Sequence, residues 1–403
     1  MLVVMTSYPF PPRVGSAIVA YNNIKEISKK HSVYFVCLDF AKEPGDFAEF
    51  VEQIEFVRPK KVPRFIKLCQ CVFYMLLGIP VFITEHMSRQ MRKRVTELIE
   101  HDKFDAILLY EVAAVQYCPP ACYKKMIVNI EDPPSIKVRR MKDLSVCSLW
   151  KKAKLSVHAR LTEHYENGIL PKVAKVLLLS EEDAKEMREK GYDNIGCVPY
   201  GVAKRSMEEI VGREGRTEGM IVFSGSMFHP PNVDGALFFL RHIFPLVLQE
   251  YSAAILWIVG AKPDTRIRDA AACFGKHVVI TGMVNDISEY LRRAKVSICP
   301  VRLKIGVQTK ILEALSWGTP VVTTIAGNSG IGGRSGNELW VEDEANIFAS
   351  RVVAILRGEG WHQLSEKGRK FAEEGFSWER SAMELEQYIM RIQIASGGGG
   401  CCL

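Results

Sequence analysis

Apolar runs of strand length alternate with helical stretches along the whole chain. In the first half the runs are Leu2–Thr6, Val33–Leu38, Ala106–Tyr110, Ile127–Ile130 and Ala174–Ser180. In the second half they are Met220–Phe223, Ile255–Val259, Val278–Thr281, Val296–Cys299 and Pro320–Thr324. Between them apolar residues recur at helical spacing, as in Ala17–Lys29, Arg89–His101, Asn232–Glu250 and Lys310–Trp317. Near-continuous apolar strands separated by helices predict a parallel sheet covered on both faces. Two such series predict two doubly wound, Rossmann-like α/β domains. A length of 403 residues agrees with two cores of about 200 residues each.

The stretch AKRSMEEIVGREGRTEG is polar and Gly-containing, and a new sheet begins after it at Met220. The expected organisation is a first domain at 1–202, a linker at 203–217 and a second domain at 218–375. A cross-over helix at 376–395 and a flexible tail at 396–403 follow. Met383, Leu385, Tyr388, Ile389 and Ile392 give that helix an apolar face, which predicts packing back on the first domain. The tail GGGGCCL is flexible by composition, and Cys401 and Cys402 do not fit the prenylation pattern.

Charge separates the halves. The net charge is +7, and residues 1–202 hold 30 Lys+Arg against 24 Asp+Glu. Three clusters carry the excess: Arg58, Lys60, Lys61, Arg64 and Lys67; Arg89, Arg92, Lys93 and Arg94; and Lys137, Arg139, Arg140 and Lys142 with Lys151, Lys152 and Lys154. They read either as solvated helix faces or as a surface for anionic lipid. They lack an interleaved aromatic platform, which argues against nucleic acid. The start MLVVMTSYPFPPR reads as a buried strand rather than a signal peptide. The segment Phe65–Ile83 is interrupted by Lys67, Gln70, Gly78 and Pro80, so it reads as interfacial rather than spanning. The 11 Cys show no paired CxxC spacing, as expected of thiols in a reducing cytoplasm. The expected location is cytoplasmic, peripheral at the inner membrane face.

Three segments carry candidate chemistry. In SYPFPPRVGSAIVAYNNI, Gly15 lets backbone approach a ligand at a helix start, but the segment is not a G-x-G-x-x-G fingerprint. In FSGSMFHPPN, Ser224, Gly225, Ser226 and the amides after them can meet a diphosphate, with Asn232 as helix cap. The third segment is CPVRLKIGVQTKILEALSWGTPVVTT. A strand ends at Cys299, and a loop with Gly306 leads through Val307, Gln308 and Thr309 into a helix. Amides at that helix start, with Lys310 in its first turn, make an anion site at the carboxyl edge of the sheet. A Lys there opposes the helix dipole, so its presence points to a negative ligand. Glu313, one turn on, is placed to accept hydrogen bonds from a ribose diol. The alternative is a solvent-facing Lys–Glu pair.

This block resembles the donor site of glycosyltransferase family 4, the retaining transferases of GT-B fold. The resemblance rests on Glu313, Ala314, Leu315, Gly318, Pro320, Val321 and Val322, with VPYGV, IVGAKPD, TGMVNDISEYL and FSWE in family order. GVQTKILEA is similar to a bacterial subgroup of exopolysaccharide and cell-surface sugar transferases. The resemblance implies two Rossmann-like domains facing a cleft and a UDP- or GDP-linked sugar donor. It implies that Lys310 meets the diphosphate, Glu313 the ribose, and the backbone around Val284 the base. It places Gly15 next to the donor phosphates. The expected acceptor is a glycan, a lipid-linked sugar or another cell-surface group. The sequence shows no metal-binding cluster of Asp and His, so metal-independent transfer with no cofactor beyond the nucleotide sugar is expected.

The chain departs from the family pattern in three places. A second Glu, expected eight positions before Glu313, is Ile305 here. The Arg–Lys pair after the first strand of the second domain is absent, and no His stands in Leu108–Pro120. Glu111, or Glu131 and Asp132 in NIEDPPS, are the polar candidates in its place, as catalytic, structural or acceptor-positioning groups. The rival readings are a nucleotide-sugar epimerase or phosphorylase, and a catalytically silent sugar-nucleotide-binding protein, on the same scaffold.

Overall fold

A computed structural model describes every residue except 13–14, 39–44, 60–61, 103, 143, 145–148, 305 and 398–403. Ile305, Lys60, Lys61, Cys401 and Cys402 therefore lie outside the described residues. The chain divides into two compact units. The first comprises Met1–Arg139, Ala153–Gly201 and Trp378–Leu403; the second comprises Arg140–Lys152 and Val202–Ser377.

The first unit is built on seven strands: β1 Leu2–Met5, β2 Tyr34–Leu38, β3 Gln53–Val57, β4 Ile107–Leu109, β5 Met126–Asn129, β6 Lys175–Leu178 and β7 Ile195–Cys197. They pair in parallel in the order β3-β2-β1-β4-β5-β6-β7. The second unit has six: β8 Met220–Ser224, β9 Ile255–Val259, β10 Val278–Gly282, β11 Val296–Cys299, β12 Val321–Thr323 and β13 Trp340–Val341. These are parallel too, in the order β10-β9-β8-β11-β12-β13. Strand order reverses between β1 and β4 in one sheet and between β8 and β11 in the other. Ligands of such sheets bind outside the carboxyl ends of the strands at that reversal.

The central strands are buried and apolar because helices cover both faces. Three strands lack an apolar run in the sequence: β3, β7 and β13. All three are sheet edges, where one side is unpaired and the demand for apolar residues falls. The helix expected over Asn232–Glu250 is instead Pro230–Phe238, a π turn at Phe239–Ile243, and Phe244–Glu250. Pro245 explains the widened turn, since it has no N–H and its ring crowds the preceding turn.

The final helix, Trp378–Gly397, belongs to the first unit and packs on the helix Gly15–Ile27. Ser381 Oγ donates to Asn23 Oδ1 at 2.9 Å in that contact. Leu385 and Ile389 are fully buried, whereas Met383 faces solvent.

Residues entering the second unit are tied down by one buried guanidinium. Arg216 donates to the carbonyls of Val211, Leu291, Ala294 and Trp317 at 2.7–3.0 Å, and to Thr319 Oγ1 at 2.7 Å. Its planar group also lies over the Trp361 ring. Among the described residues no helix is long and apolar enough to cross a membrane.

Candidate functional site

In the second unit, β8 and β11 lie side by side, and their carboxyl ends bring FSGSMFHPPN against the helix Thr309–Ser316. Gly225 leaves β8 with φ of 141°, a backbone conformation that favours glycine. A Cβ built on it would lie 3.2 Å from Lys310 Nζ and 2.9 Å from Asn232 Nδ2. The Gly225 N–H is donated to the Val259 carbonyl at 3.0 Å. Gly225 therefore contributes space for the lysine head, not the diphosphate-facing amide expected of it.

Lys310 is buried at 9% exposure, and its Nζ donates to Asn232 Oδ1 at 2.5 Å. It also lies over the Phe223 ring at 5.1 Å. Among the described residues no carboxylate comes within ion-pair distance of it. Burial lowers its pKa, with the Cys299 thiol and Glu313 opposing that shift. Asn232 is not the helix cap expected of it. The helix Pro230–Phe238 is preceded by His229, with Pro at its first positions, and Asn232 sits inside the first turn. Its side chain is instead held between Lys310 and the Ser226 carbonyl, to which Nδ2 donates at 3.0 Å. Ser224 is buried and its hydroxyl has no partner, while Ser226 is exposed.

At the helix start, Gly306 is buried and Val307, Gln308 and Thr309 are half-buried. The Gln308 side chain makes no capping bond, and the Thr309 N–H is donated to the Val307 carbonyl at 3.0 Å. Glu313 follows on the same helix. Burial pushes its carboxyl up to about 7, against the pull of Lys310 and Arg205. Arg205 was not legible in the sequence as a site residue, because it lies in the polar stretch read as linker. Its guanidinium lies 4.0 Å from the Trp317 ring centroid, and Arg292 approaches the same ring at 5.4 Å. Val284 lies half-buried in the loop that follows β10.

In the first unit the reversal between β1 and β4 opens a cavity of about 320 Å³. Ser16, Glu111, Asn129, Glu131, Asp132 and Lys137 supply its polar wall. Glu111 accepts from the Thr6 hydroxyl, and burial raises its pKa. Asp132 pairs with Lys137 at 2.9 Å. Glu131 Oε1 is buried without a hydrogen-bond partner. Its carboxyl is pushed up to about 7, chiefly by burial and then by Asp132, with Lys137 opposing and Glu111 adding. A Cβ on Gly15 would meet Glu131 Oε1 at 2.4 Å, so the glycine admits this carboxylate at the helix start. The loop that carries Glu131 and Asp132 is anchored from behind. The Ser135 N–H donates to Glu166 Oε1 at 2.9 Å and the Ser135 hydroxyl to Oε2 at 2.5 Å. The structure thus brings Glu111, Glu131 and Asp132 together in one unit, and Lys310, Asn232 and Gly225 together in the other.

Residues 218–358 match the family Glycosyl transferases group 1. The chain is 22% identical over 163 residues to an uncharacterised 44.6 kDa protein of the cps region of Klebsiella pneumoniae. That alignment covers 39% of this chain and 42% of the relative, less than half the length of either. Among solved structures, Anabaena Alr3699/HepE in complex with UDP and glucose superposes with a TM-score of 0.67 at 12% identity, over 96% of this chain and 99% of that one. Sucrose-phosphate synthase from Thermosynechococcus elongatus gives 0.68 at 14% identity, over 98% and 99%. A glycosyltransferase from Rickettsia africae gives 0.62 at 14%, over 97% and 98%. The fold is GT-B, with two parallel-sheet Rossmann-like domains, and the match over 218–358 supports a glycosyltransferase.

Proposed function

We propose that the chain transfers a sugar from a UDP- or GDP-linked donor to a hydroxyl of a glycan or lipid-linked acceptor, with retention at the anomeric carbon. One observation carries the reading: Lys310 is a buried ammonium with an amide oxygen, and among the described residues no carboxylate within ion-pair distance, to answer it. A buried charge is costly unless it is paired. A diphosphate beside Nζ supplies the missing charge. The match to Glycosyl transferases group 1 spans this site, and Anabaena HepE was crystallised with UDP and with UDP-glucose.

In this reading the bond between the anomeric carbon and the diphosphate oxygen breaks, and the pair of electrons leaves with the diphosphate. Lys310 stabilises that charge where water is excluded. The acceptor oxygen bonds to the same carbon, and its proton leaves with the nucleoside diphosphate. Glu313 holds the ribose, and the backbone near Val284 meets the base. No cofactor beyond the nucleotide sugar is invoked. A thermal-shift screen against UDP- and GDP-sugars tests the donor, because a ligand of the native state raises apparent stability. We expect one base class to raise the melting temperature. No shift with any of them counts against the reading.

The acceptor side of the proposal is a lipid-linked sugar at the cytoplasmic membrane face. The helix Arg64–Leu76 leaves Phe65, Ile66, Phe73 and Leu76 exposed, and Arg92 and Lys93 are exposed in the same unit. Other members of the basic clusters are already answered: Arg94 pairs with Glu55 at 2.6 Å and Arg139 with Glu163 at 2.6 Å. Sedimentation with anionic vesicles should show binding that falls as salt rises. Absence of binding at low salt removes the lipid part.

A further inference from the structure

Two side chains of the helix Pro230–Phe238 reach the helix Thr309–Ser316 and the stretch that feeds it. Asn232 holds Lys310 Nζ at 2.5 Å. Asp234 holds Arg302, which lies between β11 and that helix. Arg302 Nε donates to Asp234 Oδ2 at 2.9 Å and Nη2 to Oδ1 at 2.8 Å, a fork that fixes distance and plane together. The guanidinium also lies over the Phe238 ring at 4.7 Å, one turn on from Asp234 and on the same helix face. Residues two apart on a helix point to different sides, so one turn grips the lysine and the arginine separately.

The chain just before Arg302 is fixed by other means. Thr323 Oγ1 donates to the Cys299 carbonyl at 2.9 Å, and the Thr324 hydroxyl donates to the Val301 carbonyl. A Cβ on Gly235 would lie 2.8 Å from the Pro300 oxygen, so the helix backbone rests directly on this turn. These contacts already join helix, strand and turn. The fork is a costly way to repeat them, because the Asp234 side chain is 2% exposed against 43% for Arg302. An apolar pair would hold the same segments without desolvating a carboxylate. What the fork supplies beyond adhesion is a fixed direction for the chain as it turns toward Gly306 and the helix start.

We propose that the Asp234–Arg302 fork is a positioning element of the donor site, which fixes the strand-to-helix stretch so that the helix start and the Lys310 ammonium meet one diphosphate at a set spacing. Arg302 acts through that stretch and touches no ligand itself. The proposal deepens the sugar-transfer reading and rests on it for the identity of the diphosphate.

The test is isothermal titration of UDP and UMP, and of GDP and GMP, into the full chain. Wild type is compared with Arg302→Lys and with the double variant Asp234→Asn/Arg302→Gln, and thermal melting verifies folding. Arg302→Lys keeps the charge but cannot form the fork. The double variant keeps a neutral hydrogen-bonding pair and leaves no buried carboxylate unpaired. If one variant melts early, the other carries the test. We expect each folded variant to lose roughly tenfold in affinity for the diphosphate and no more than roughly threefold for the monophosphate. In a Lys310→Met background the same Arg302→Lys change should cost the diphosphate much less, because the two residues serve one group.

Equal losses for monophosphate and diphosphate, or no loss of either, overturn the proposal. Early melting of both variants also overturns it, by making the pair structural. Any of these results, with wild type still binding UDP or GDP, sinks this inference alone. Wild type that binds neither nucleotide sinks the sugar-transfer reading, and this inference with it.

Discussion

Arg216 and Lys310 are both buried in the second unit, and the protein treats them in opposite ways. Arg216 finds carbonyl or hydroxyl oxygens for every arm of its guanidinium, and burial pulls its pKa down to about 10. Lys310 finds one amide oxygen. The first unit repeats the contrast with carboxylates. Glu166 accepts from the Ser135 N–H and hydroxyl, whereas Glu131 keeps a buried oxygen unanswered. In each unit the saturated charge holds backbone segments together, and the unsaturated one stands at the carboxyl ends of the strands where the sheet reverses. The lesson is that burial alone does not mark a ligand site. A buried charge whose hydrogen-bonding capacity the fold leaves open does.

The contrast predicts separable losses. The largest is at Arg216. Arg216→Met leaves the Val211, Leu291, Ala294 and Trp317 carbonyls without their donor, and should cost about 3–5 kcal/mol of stability in urea unfolding. A change below about 1 kcal/mol would mean that saturation does not mark a structural role. Next is Glu166. Burial pushes its carboxyl from 4.5 up to about 7, so the folded state holds a proton that the unfolded state has released. Its contribution is fully present below the unfolded value and is lost as pH rises through 7, about 3 kcal/mol in all. Wild-type stability should fall between pH 5 and pH 8, and Glu166→Gln should remove about a third of that slope, because Glu131 and Glu313 are pushed up to about 7 as well. The smallest stability effect belongs to Lys310. Lys310→Met removes a buried charge that one amide oxygen alone answers among the described residues, so stability should stay within about 1 kcal/mol of wild type or rise.

The two sites differ also in how much of them was legible in the sequence. The second-unit site follows a strand, a glycine loop and a helix start within one continuous block, and Lys310 and Glu313 share one helix. Periodicity finds such a block, and the interior strands with it. Gly225 and Asn232 were found as well, but their roles came out differently, because the partners of an amide or a side chain are set by tertiary contact. The Gly225 N–H is taken by Val259 and the Asn232 side chain by Lys310. The first-unit cavity draws on residues far apart in the chain, from Ser16 to Lys137. Glu111, Glu131 and Asp132 stood out as polar residues at strand ends, but nothing in their spacing shows that Asp132 is neutralised by Lys137 while Glu131 is not. Arg205 and the edge strands β3, β7 and β13 escaped for a related reason. Each depends on what the fold lays beside it, and no local pattern records that.

The central claim is that the open charge on Lys310 is there for a diphosphate. Isothermal titration of UDP and of GDP into wild type and Lys310→Met measures it most directly. The account predicts that wild type binds one of the two and that the variant, folded as wild type is, loses at least about tenfold in affinity, or 1.4 kcal/mol. Equal affinity in the two proteins would contradict it, and so would the absence of binding to either nucleotide by wild type.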